Sequence, residues 1–108
     1  MQQKKSLYEI IIKKHVSAII PKQWPFNYDC GNWDKHHPDE NGRRYIIRLN
    51  KTRGVECGKT TLIHELVHIN NDLEGIEISE GETEDKALAF CKKNKKFVDY
   101  LWEKYVCN

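Results

Sequence analysis

The chain lacks a membrane span and a secretory signal core. Its charged start, Met1-Gln2-Gln3-Lys4-Lys5, leads into a segment carrying Glu9, Lys13, Lys14 and His15, which neither would tolerate. The expected location is the cytoplasm, with no membrane partner. The chain also lacks an excess of charge: its net charge is +2 with 31% charged and 39% hydrophobic residues. That excludes a nucleic-acid field and a disordered polyelectrolyte, so Lys92-Lys93-Asn94-Lys95-Lys96 reads as a solvated helix face. There is no C-x-x-C pair. Cys30, Cys57, Cys91 and Cys107 are scattered, which suggests neither a zinc knuckle nor a disulfide framework and leaves reduced thiols as the expectation. Cys57, one to two turns before His64, is a minor candidate ligand. Finally, 108 residues are too few for a catalytic domain plus a separate recognition domain, so residues 1–108 are expected to form one domain with one site.

What the chain does have is His64-Glu65-Leu66-Val67-His68. On a helix, residues i and i+4 lie one turn apart on the same face, so both imidazoles can reach one ion while Glu65 holds a water beside it. The surrounding Thr60 to Asn70 is apolar on every side of the polar triad and contains no Pro or Gly, the signature of a largely buried helix. Two metal-free core histidines would need other hydrogen-bond partners in that setting.

Around this motif the pattern reads as α+β: an N-terminal helix, a small sheet of two or three strands, the HExxH helix and a long C-terminal helix. Ser6 to Ile20 place Leu7, Ile10, Ile11, Ala18 and Ile19 at near-helical spacing up to Pro21. Lys22 to Gly42 is irregular or short-stranded, with Trp24, Phe26, Tyr28 and Trp33 covering the core. After the Asn41-Gly42 turn signal, Arg43 to Asn50 reads as a strand. A sheet edge can hold an extended peptide by main-chain hydrogen bonds, which makes Tyr45 and Ile47 candidate substrate-binding positions; an ordinary structural strand is the alternative.

Gly58-Lys59-Thr60 imitates the end of a phosphate-binding loop, but the glycine required five positions earlier is Arg53, and Gly54 leaves the loop one residue short. Gly58 and the threonines are expected instead at the start of the metal-binding helix.

A catalytic zinc takes three protein ligands plus water. No histidine follows His68, and Asn71 and Glu74 occupy the positions that HExxHxxGxxH would need. A downstream carboxylate remains. Gly75 breaks the helix, and Ser79 with Glu82 forms a capping box that opens a second helix through about Tyr105. In an antiparallel hairpin His68 lies roughly 9 Å before the turn, so its partner should lie as far after it. Glu84 fits that height and shares a stripe with Ala87, Leu88, Cys91, Val98, Leu101 and Tyr105. Glu80 shares the face but lies nearer the turn; a surface carboxylate at a helix N-terminus is the competing role for Glu84.

The order strand, T-L-I-H-E-L-V-H, then Glu84-x-x-Ala87-x-x-Phe90 resembles the zincin peptidases, and within them the gluzincin-type ImmA/IrrE-like group, over roughly Tyr45 to Cys91. The resemblance implies a minimal zincin-like domain in which His64, His68 and Glu84 ligate zinc and Glu65 is general base and then acid. It implies hydrolysis of a protein or peptide substrate, such as a regulator in a phage or mobile-element setting. Tyr28, His36, His37 and Tyr100 are open candidates for an oxyanion donor. The alternative function is a catalytically silent zinc-binding protein that uses the same fold as a scaffold for a partner.

Overall fold

The computed structural model describes residues 3–22 and 30–107. Trp24, Phe26 and Tyr28 lie outside the described residues. Among the described residues the architecture is α+β, four helices packed with one three-stranded sheet.

Helix α1 (Gln3–His15) buries Tyr8, Ile11 and Ile12. The helix expected through Ile20 stops at His15, and Val16–Lys22 continues directly as strand β1. The apolar positions of Val16 to Ile20 suit either period, and the pairing partner decides: β1 lies parallel to strand β3 (Tyr45–Asn50). On its other side β3 pairs antiparallel with β2 (Gly31–Lys35), giving the order β1-β3-β2. Tyr45, Ile47 and Leu49 alternate inward and are fully buried, while Arg48 faces outward and binds Asp34 at 2.6 Å.

This topology corrects one expectation. β3 is the central strand, with both backbone edges occupied, and Tyr45 and Ile47 are 1% and 0% exposed core residues rather than substrate contacts. A strand hydrogen-bonded on both sides has no edge to offer a peptide.

A 3-10 turn (Lys51–Arg53), capped by the Asn50 side chain on the Thr52 N–H at 3.0 Å, leads into helix α2 (Val55–Glu74). α2 lies on the inner face of the sheet and also packs on α1 and the two C-terminal helices. Leu62, Ile63, Leu66 and Ile69 are fully buried around it. α2 begins three residues before Gly58, which is buried inside it for a packing reason: an added Cβ would stand 2.5 Å from the Trp102 ring. α2 ends at Gly75 in the left-handed region (φ 71°), where Ile76 N–H reaches Asn71 O at 2.9 Å and Gly75 N–H reaches Asp72 O at 3.2 Å.

Helix α3 (Glu80–Lys93) starts at Ser79, whose hydroxyl accepts the Glu82 N–H at 3.1 Å as the capping pattern requires. The expected single long helix is broken at Asn94 into α3 and α4 (Lys95–Tyr105). Asn94 leaves helical geometry and turns both its backbone N–H and its side-chain amide onto Phe90 O, at 2.9 and 3.1 Å.

The thiols are not all reduced. Cys30, just before β2, and Cys57 in α2 form a disulfide with a Cα–Cα distance of 6.5 Å, while Cys91 and Cys107 are free. The cause is non-local: β2 runs beside α2 and brings together residues 27 positions apart. That pairing removes Cys57 as a candidate ligand. Among the described residues no helix is long and apolar enough to cross a membrane.

Candidate metal centre

α2 presents His64 and His68 on one side, as a spacing of four dictates, and the two Nε2 atoms stand 3.2 Å apart. The rings meet edge to face with centroids 4.8 Å apart. Both side chains are 16% exposed, at the boundary between core and solvent. Glu65, between them in sequence, is 5% exposed. Burial pushes its carboxyl up to about 7; the charge of His64 opposes that shift, and those of Glu80 and Glu84 add to it. Burial also lowers the pKa of His68, against the pull of Glu80.

The first turns of α3 supply two carboxylates with different roles. Glu80 straddles the histidine pair, Oε1 at 3.1 Å from His64 Nε2 and Oε2 at 2.8 Å from His68 Nε2. Glu84 sits at the other nitrogen of His64, 2.7 Å from Nδ1. The expected group His64, His68 and Glu84 is thus brought together, but Glu80 is the carboxylate on the Nε2 side. The five-residue linker 75–79 explains its position, since an extended segment spans up to roughly 16 Å and can itself cover the return along α2.

The donor set fits a metal ion. Ligand atoms of His64, Glu65 and His68 all lie within 4.8 Å of one another. Two nitrogens held about 2.05 Å from a tetrahedral zinc are separated by about 3.3 Å, close to the spacing of the two Nε2 atoms. With Nδ1–H of His64 donated to Glu84, its Nε2 carries a lone pair that faces another imidazole nitrogen and a carboxylate oxygen. Without an ion, an Nε2–H of His68 can donate to Glu80 at 2.8 Å; a cation held by both Nε2 atoms would take the place of that proton and offset part of the charge of the neighbouring carboxylates.

The site opens into a cleft of about 420 Å³ lined by His64, Glu65, Glu80, Glu84, Thr61 and the Cys30–Cys57 disulfide. From the sheet, Gly31 at the start of β2 joins that lining. Trp33 of β2 stacks on His68 at a centroid distance of 6.2 Å and an interplanar angle of 24°. One turn beyond His68, Asp72 accepts the Tyr45 hydroxyl and pairs with Lys35 Nζ at 2.9 Å, so its carboxyl is held below the usual range by the Tyr45 bond first and Lys35 second. Tyr45, set aside as a substrate contact, therefore braces the end of α2. Glu80 is the second carboxylate that the sequence offers, whereas Asp72 is not among its candidates although a spacing of four from His68 puts it on the same face.

Three oxyanion candidates are engaged elsewhere or absent from the cleft lining. His36 bonds Ser17 at 2.8 Å and the His37 carbonyl at 2.6 Å, and Tyr100 donates to Glu9 at 2.6 Å. His37 does not line the cleft, and Tyr28 lies outside the described residues.

No protein-family model matches the chain, and no curated protein or solved structure is significantly similar to it.

Proposed function

We propose that this protein is a zinc-dependent metallopeptidase acting on a protein or peptide substrate. The observation that carries the reading is the convergence of His64 Nε2, His68 Nε2 and the Glu80 carboxylate beside a buried Glu65. In this reading His64, His68 and Glu80 are the metal ligands, and Glu84 is a positioning residue that fixes the His64 tautomer through Nδ1. Zinc, when bound, supplies a Lewis acid that acidifies water and polarises a carbonyl. Glu65, buried beside both histidines, takes the proton from the attacking water and returns it to the leaving amine. The outer edge of β2, unpaired among the described residues, is the place for an extended substrate, since its first residue, Gly31, lines the cleft. The ImmA/IrrE-like resemblance of the HELVH segment extends the proposal to a regulatory protein as substrate and to a cytoplasmic setting.

The test is zinc content and peptide cleavage in wild type and Glu65→Gln. The reading expects one zinc in both proteins and cleavage only in wild type. Zinc with no cleavage in either favours the silent scaffold, and no zinc in either overturns both readings.

A further inference from the structure

We propose that the Cys30–Cys57 disulfide is a redox-controlled strap on the cleft, which holds the edge strand β2 and its Trp33 in place for substrate. Its effect on turnover rests on the peptidase reading; the strap itself rests on geometry.

Cys30 and Cys57 line the same cleft as His64, Glu65, Glu80 and Glu84. The bond joins the residue just before β2 to the metal helix, seven residues before His64. β2 needs such an anchor, because it is five residues long and, among the described residues, pairs with β3 alone. Its first residue is pressed inward: a Cβ on Gly31 would stand 2.4 Å from Arg48 O and 2.7 Å from Thr61 Cγ2. Two residues on, Trp33 lies over His68, and at the far end Lys35 pairs with Asp72. The strand is therefore fixed to α2 by a covalent bond at its start, a ring contact in its middle and an exposed ion pair at its end. Of these three the covalent bond is the one that redox chemistry can switch.

Both cysteines are partly exposed, so a reductant can reach them. A dithiol attacks as thiolate and forms a mixed disulfide with one sulfur while the other leaves; its second thiol then closes the reductant's own disulfide. Two electrons and two protons pass to the protein, the S–S bond breaks and two cysteine thiols form. Cys91 does not compete in exchange near neutral pH, since burial pushes its thiol up to about 11. Release frees the start of β2 from α2 and leaves the histidines and carboxylates on their helices.

Hydrogen–deuterium exchange on the zinc-loaded full chain tests the strap. Three samples are compared: the air-oxidised protein, the same protein after treatment with dithiothreitol and its removal under nitrogen, and Cys30→Ser/Cys57→Ser. Thiol titration is expected to find two free thiols before reduction and four after. Exchange across Asn32–Lys35 should rise at least about fivefold on reduction and in the double variant, while Leu62–Asn71 stays protected and zinc is retained. Peptide cleavage should show a raised KM with a smaller change in kcat. Four free thiols in the air-oxidised protein, or unchanged β2 exchange after reduction, would overturn the proposal. Loss of zinc binding or cleavage in every sample counts against the peptidase reading, and the exchange data still decide the strap.

Discussion

Glu84 accepts the Nδ1 hydrogen of His64 at 2.7 Å, so the same ring turns its Nε2 toward Glu80 at 3.1 Å. In the proposed centre this histidine would separate two neighbouring carboxylates into an orienting group, Glu84, and a ligand, Glu80. Glu84→Ala should weaken zinc binding by about 10- to 100-fold, with Glu84→Gln largely restoring it because an amide oxygen still accepts the Nδ1 hydrogen. Glu80→Gln should cost more than Glu84→Ala. Competition titration with a zinc chelator measures all three, and equal losses for Glu80→Gln and Glu84→Gln would contradict the division of roles.

Gly58 is where α2 admits α4. A methyl group there meets the Trp102 ring at 2.5 Å, and a rigid ring packed on α2 gives way less readily than a flexible chain end. Gly58→Ala is expected to destabilise the fold by about 1–3 kcal/mol despite its better helix propensity. Urea unfolding checks it, and a gain in stability would contradict this packing.

Asn71 is 9% exposed, and its Nδ2 is buried without a hydrogen-bond partner. Replacing such a donor with an apolar side chain of similar shape removes a desolvation cost, so Asn71→Leu should raise stability by about 1 kcal/mol. A lowered urea midpoint would show that the amide has a partner in solution.

How much of this was legible in the sequence depends on the range of the interactions. The HELVH helix, its stop at Gly75 and the Ser79 cap are set by residues within a turn or two of one another, and they stand where the sequence pattern puts them. β1 was read as helix because Val16 to Ile20 fits both periods locally, and its parallel partner lies 29 positions on. Without β1 the strand Tyr45–Asn50 has a free edge for a peptide; with β1 paired to it, Tyr45 and Ile47 are core residues. The Cys30–Cys57 bond and the place of Trp33 on His68 depend on β2 reaching α2, which no local pattern encodes. The helical stripe points to Glu84 ahead of Glu80 because it follows the buried face. The cleft instead opens at the rim, where the Glu80 side chain is 77% exposed and still meets both rings.

Acid should loosen the end of α2. The Asp72 carboxyl is held below its ordinary value by Tyr45 and then Lys35, so the ionised form is the one that the fold favours. A depressed folded pKa contributes stability that is present above the unfolded value of about 4 and is lost as pH falls through the folded value. The stability advantage of wild type over Asp72→Asn should therefore shrink as pH is lowered from 7 to 3. Urea midpoints across that range measure it, and a pH-independent difference would contradict the pairing.

The central claim is a metal centre built from the α2 histidines and an α3 carboxylate. Anomalous X-ray scattering at the zinc edge, from crystals of the unmodified protein, tests it most directly. One zinc bound by His64 Nε2, His68 Nε2 and Glu80 is the expected result; crystals grown with zinc that hold no ion at these histidines would contradict it.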